Sequence, residues 1–147
     1  GHGALAGFHA PCLEFDAARV SPTLSGRVRA WRTSHHVYQP PHQADAWRRA
    51  DALLFVADAQ RARLEANVQR LRELAAALEA TPGGLANRCG VMQFSKVDLP
   101  TALVQDELSS QVNLPRWPEV VAVPPKGRGV QESFALLLER LACERAG

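Results

Sequence analysis

The chain has 147 residues, 46% of them hydrophobic and 22% charged, which suits one globular domain and leaves little for a second core. The apolar share excludes a disordered chain, and no run of about 18 apolar residues is present to cross a membrane. Basic residues outnumber acidic ones by 17 to 15, a net charge of +2 spread along the chain, so nothing marks a nucleic-acid partner.

Gly1 to Ala10 are small and weakly patterned and carry no predicted element. They lack a charged stretch followed by an apolar one, so no secretory leader is expected. Leu13 to Val20 (LEFDAARV) predicts a strand. Ser21-Pro22 and Ser25-Gly26 mark a turn. Arg27 to Tyr38 (RVRAWRTSHHVY) is rich in Trp, Thr, Val and Tyr, which favour the second strand of a hairpin. Pro40-Pro41 stops that strand, because proline removes a ladder donor. Gln43 to Ala50 reads as a short helical stretch.

Ala52 to Ala57 (ALLFVA) is a continuous apolar run between polar residues, the pattern of a strand buried on both faces in a parallel sheet. Arg61 to Ala80 is the clearest helix. Leu64, Val68, Leu71, Ala75 and Leu78 recur at steps of three and four, and Thr81-Pro82-Gly83-Gly84 ends it. Cys89 to Phe94 (CGVMQF) predicts the next strand. Thr101 can cap a helix reaching Val112. Val120 to Val123 is a short buried strand closed by Pro124-Pro125. Gly127 to Glu144 closes the pattern as a helix with Val130, Phe134, Leu137, Leu138 and Leu141 on one stripe. The order β-β-α-β-α-β-α-β-α predicts one domain over 1–147: an α/β three-layer sandwich with a mainly parallel sheet.

Cys12, Cys89 and Cys143 are odd in number and widely spaced, with no C-x-x-C. That argues against a disulfide framework or a zinc site, and the expected compartment is the reducing cytoplasm. His35, His36 and His42 lack a further ligand in any metal spacing and read as strand or surface residues. No G-x-G-x-x-G follows a strand, and no Ser-His-Asp or Cys-His set is spaced for catalysis, so an unrelated Rossmann-like enzyme finds no support.

Three segments stand in one order: FVADAQ with RARLEAN (Phe55 to Asn67), SKVDLP (Ser95 to Pro100) directly after a strand, and PPKGRGV (Pro124 to Val130) before the last helix. The chain resembles the Ras-like small GTPases, and among them the bacterial gliding-motility and polarity type known as MglA. The match is closest over Ala52 to Asn67 and continues to Leu141. Upstream, LEFD (Leu13 to Asp16) and HHVYQPPHQ (His35 to Gln43) resemble that family's second and third strands.

The resemblance implies a role for each motif. SKVDLP stands at the family's N-K-x-D, whose aspartate accepts two hydrogen bonds from the guanine edge and whose lysine lays its stem along the ring. Asp98 and Lys96 take those positions, and Ser95 replaces the asparagine. The loop Pro124 to Gly127 lies at the family's other base-contacting loop, which adds Lys126 to the guanine side. Pro41-His42-Gln43 aligns with the family's P-G-Q, so Gln43 is the water-orienting residue if the chain is active.

The phosphate end departs from the family. No G-x-x-x-x-G-K-[ST] occurs in these 147 residues. The residues before Leu13 are too few for a strand, a phosphate loop and a helix, which need about thirty. The expectation is a truncated Ras-like G-domain without the first strand and phosphate loop: a non-catalytic interaction module with no metal and no cofactor. Its expected partner is a roadblock-type homodimer docking near residues 27–43. The alternative is a GTPase whose phosphate loop lies outside this chain, binding GTP or GDP with Mg2+. Loss of the family's central first strand leaves its two neighbours to pair directly, or leaves a gap that either Ala4 to Phe8 or a partner chain must fill.

Overall fold

A computed structural model describes residues 12–31, 40–123 and 129–146, the side chains of 40–43 excepted. Strands β1 (Cys12–Asp16) and β2 (Arg27–Trp31) form an antiparallel hairpin, in register from Cys12 against Trp31 to Asp16 against Arg27. In β2 the side chains alternate: Val28 and Ala30 turn inward, while Arg27, Arg29 and Trp31 are exposed. The first strand is shorter than LEFDAARV suggests. Ala17–Arg19 curl into a 3-10 turn, because the Ala17 carbonyl accepts from both the Val20 and Ser21 N–H groups. Of the expected second strand, residues 32–38 lie outside the described residues.

Helix α1 (Pro40–Arg49) starts earlier than the sequence reading, on the two prolines themselves. Proline is well placed in a first helical turn, where its missing N–H would have no partner. Strands β3 (Leu53–Asp58), β4 (Gly90–Ser95) and β5 (Glu119–Ala122) form a parallel sheet in that order. All six residues of the central β4 are buried, the polar Gln93 and Ser95 among them, as befits a strand covered on both faces.

Helix α2 (Leu64–Leu78) follows a 3-10 turn at Arg61–Arg63. Its buried face is Asn67, Leu71, Leu74 and Leu78, one residue round from the predicted stripe, so Leu64 and Val68 sit at the margin. Helix α3 (Gln105–Val112) begins three residues later than a cap at Thr101 would set it, and no side chain caps it. The cause is a tether: the Leu103 N–H donates to the Ala59 carbonyl at 2.9 Å, which holds the start of this segment extended beside β3. Helix α4 (Val130–Ala146) ends the described fold.

Three layers result. Helices α1, α2 and α3 cover one face of the parallel sheet through Trp47, Leu71, Leu74, Leu78, Leu108 and Val112, against Phe55, Met92 and Phe94. Fully buried Phe94, Leu71, Leu78 and Leu108 each contribute about 1.5–3 kcal/mol by leaving water. Helix α4 covers the other face. Leu136, Leu137 and Leu141 pack with Leu54, Val91 and Val120 of the parallel sheet. Phe134, Ala135 and Leu138 pack with Phe15, Val28 and Ala30 of the hairpin. The Phe134 ring meets Phe15 edge-on, 5.9 Å between centroids at 89°. Among the described residues the hairpin and the parallel sheet are separate sheets; one helix spans both.

Candidate functional site

The carboxyl ends of β3 and β4 finish level, with Asp58 opposite Ser95. Such ends are where ligands sit in parallel sheets, because the strands stop and the loops open together. After β4 the chain turns sharply. Lys96 takes a left-handed φ of 60°, a conformation that costs a non-glycine residue about 1–2 kcal/mol, and its carbonyl accepts from Leu99 N–H at 3.2 Å. Val97 turns inward against the core, which leaves Lys96 and Asp98 exposed on either side of it.

Lys96 Nζ donates to Asp58 Oδ2 at 3.1 Å. Asp58 also accepts from the Gln60 backbone N–H at 3.0 Å and from Gln60 Nε2 at 3.1 Å. Partial burial pushes the Asp58 carboxyl upward, yet these hydrogen bonds and the Lys96 charge outweigh it, and its pKa lies below the ordinary value. Asn67, buried on α2, donates to the Asp58 carbonyl at 2.8 Å. Thr101 Oγ1 donates to Gln60 Oε1 at 3.1 Å. A lattice of side chains from both loops therefore fixes the floor beneath Lys96.

The residues singled out from sequence separate here. Lys96 and Asp98 are on the surface of one loop, and Asp98 has no hydrogen-bond partner among the described residues. A carboxylate left without a partner among the described residues can accept a pair of N–H donors such as an amidine-like base edge presents. Ser95 is different: it is buried, and its hydroxyl donates inward to the Ala57 carbonyl at 3.3 Å. It braces the strand ends. Lys126 lies outside the described residues. Gln43 falls within α1, but its side chain is likewise outside them.

Asp58, Gln60 and Asn67 have no role in the sequence reading, and Thr101 only that of a helix cap. The signal was present: FVADAQ ends a buried parallel strand in a carboxylate and an amide, at the end of the sheet where polar groups are useful. Gly129 is also needed by geometry. Its φ is 88°, and a Cβ there would run into the Val121 carbonyl and Ala122. Ser133 Oγ donates to the Gly129 carbonyl at 2.7 Å, which ties this glycine to the first turn of α4.

No group of three or more His, Cys, Asp or Glu side chains is placed to hold a metal among the described residues. Cys89 is no nucleophile: burial, then the neighbouring Glu144 carboxylate, pushes its thiol up to about 11. No described helix is long and apolar enough to cross a membrane.

No protein-family model matches the chain. A search of curated proteins finds the mutual gliding-motility protein MglA of Myxococcus xanthus (strain DK1622), 33% identical over 130 residues, which covers 84% of this chain and 67% of that protein. Identity at that level over that span, in a chain whose FVADAQ and SKVDLP segments end neighbouring parallel strands, has one explanation: the chain belongs to the MglA-type family of Ras-like small GTPases.

Proposed function

We propose that these 147 residues act as a non-hydrolysing docking module of a bacterial polarity or motility system. The observation that carries the reading is the one-sidedness of the site. Lys96 and Asp98 stand exposed on one loop, which supports a base-side contact, while no phosphate-loop sequence occurs in the 147 residues. Contacts to phosphate and magnesium are charge-assisted and worth about 1.5–3 kcal/mol each. Without four or five of them, affinity falls by many powers of ten. Phosphoryl transfer rests almost wholly on positioning and electrostatics at those phosphates, so no hydrolysis follows. Part of the Lys96 charge is also already taken by Asp58.

The name of the Myxococcus relative gives the setting, gliding motility. The docking surface takes in the exposed side of the hairpin, within the expected region of residues 27–43, and its partner is a roadblock-type homodimer; residues 32–39 lie outside the described residues. Trp31 supports it: the indole is 62% exposed, and tryptophan is among the residues that carry most binding energy at interfaces. Cys12, Cys89 and Cys143 are all free thiols, in keeping with a reducing compartment.

The test is a titration with fluorescent GDP and GTP in the presence of magnesium. The expected outcome is no saturable binding below about 10 μM, the level a base contact alone would leave; nanomolar affinity would refute the proposal. A second reading draws on the aligned span, which covers 67% of MglA. Polypeptide outside these residues would then supply the phosphate loop and restore nucleotide binding. A G-K-[ST] encoded in frame upstream of Gly1 decides for it.

A further inference from the structure

The amino end of the parallel sheet, opposite the loop of Lys96 and Asp98, carries a second concentration of charge. A cavity of about 380 Å³ opens there between the segment before β4, the loop leading into β5 and the last turns of α4. Each contributes one arginine to its lining: Arg88, Arg116 and Arg140. Its volume is that of a small-molecule site, about 300–1,000 Å³. The six residues of β4 set it about 20 Å from the Lys96 loop.

The three guanidiniums have no counter-ion. None of them is in an ion pair among the described residues. All 15 Asp and Glu of the chain fall within those residues, so no further acidic side chain exists to supply one. Glu144 is the one acidic residue that lines the cavity; three positive charges against one negative leave a surplus of two. Arg88 spends its two Nη atoms on the carbonyls of Trp47, Arg48 and Ala50 and adds charge rather than donors. Arg140 is different, for its Nε is buried and makes no hydrogen bond. A buried donor on a cation is costly without an acceptor, and such groups are normally paired. Arg116 is exposed on a turn with φ of 58°, a backbone state that glycine adopts more freely, yet an arginine stands there. The Asn113 carbonyl accepts from the Arg116 N–H at 3.1 Å, and the Asn113 side chain bonds the Trp117 carbonyl and N–H at 2.7 and 2.9 Å. The turn that presents Arg116 is therefore built in advance.

We propose that this cavity binds the phosphate group of a small phosphorylated molecule. The charge surplus selects the group. A phosphate monoester carries about −1.5 to −2 at neutral pH, whereas a single carboxylate carries one charge. Guanidinium forks match phosphate oxygens in shape as well as charge. Arg140 Nε and the Arg116 guanidinium donate to the oxygens, Arg88 strengthens the field, and the volume beyond the phosphate takes the rest of the molecule.

Nitrogen-resolved NMR of the intact chain, titrated with inorganic phosphate at constant ionic strength, tests the assignment. The Arg140 Nε–H and Cys143 amide signals should shift saturably with a midpoint near ~1 mM, while the amides of Lys96, Val97 and Asp98 stay still. Acetate at the same ionic strength should leave all of them in place. In Arg116→Gln, a change at an exposed side chain, the midpoint should rise roughly tenfold or more. Absence of a saturable shift by about 20 mM phosphate overturns the proposal. So does an equal response to acetate, a midpoint unchanged in Arg116→Gln, or a response centred on the Lys96 loop instead.

Discussion

At the scale of single residues, Gly90 and Trp117 depend on each other. The Trp117 indole is buried and its Nε1 donates to the Arg88 carbonyl at 3.0 Å, so the ring cannot swing aside freely. A Cβ at Gly90 would overlap that ring. Gly90→Ala should therefore destabilise the fold by about 1–3 kcal/mol, read as a lower urea midpoint with unchanged slope. From sequence Gly90 looked like one more apolar position in CGVMQF; the reason for a glycine lies 27 residues away in the chain, in a ring that no local pattern points to. Ser95 was legible as a residue but not as a role. Its alignment with a base-contacting position hides the fact that a small hydroxyl at a strand end finds a nearer partner, the Ala57 carbonyl.

At the scale of elements, strand–helix alternation was legible because apolar runs and three-four spacings reflect burial directly. Boundaries were less so. Helix α3 starts late because backbone bonds from Leu103 to Ala59 and from Arg61 to Thr101 compete with the first turn, a tertiary effect with no sequence mark. The end of α1 shows a similar dependence. Arg88, just before β4, donates to the carbonyls of Trp47, Ala50 and Arg48 at 2.9, 2.8 and 3.2 Å. These are the carbonyls a helix end leaves without partners, and a cation there also suits the helix dipole. Arg88→Ala should cost about 1–3 kcal/mol and loosen α1 before the sheet. The expected signature is faster amide exchange in 44–49 with β3 to β5 unchanged. Equal loss of protection everywhere would mean that α1 and the sheet open as one unit.

For the molecule as a whole, two carboxylates make stability depend on pH in one direction. Burial raises the Glu119 carboxyl, but hydrogen bonds from Ser109, Asn113 and Gln105 prevail and hold it below its ordinary value. Those bonds are 2.6 Å from Ser109 Oγ, 2.7 Å from Asn113 Nδ2 and 3.0 Å from Gln105 Nε2. Asp58 is lowered likewise. A group depressed in the fold binds more protons when unfolded, so its stabilisation is whole above about pH 5 and drains away as the pH falls through the folded values. Urea midpoints should stay level from about pH 7 to pH 5 and then decline, and the decline should be shallower in the Asp58→Asn, Glu119→Gln double variant. The layered architecture was legible in the order of elements. The split into two sheets among the described residues was one of two outcomes that a missing first strand allowed, and nothing in the sequence chose between them.

Helix α4 has a consequence for how the chain is made. Among the described residues it packs on both sheets, and it is the last described element to leave the ribosome. Until residues 130–146 have emerged, the faces of Phe15, Val91 and Leu54 that α4 covers remain wet. A polypeptide stalled before Val130 therefore carries exposed apolar faces on both sheets at once, which makes it a ready client for chaperones and proteases.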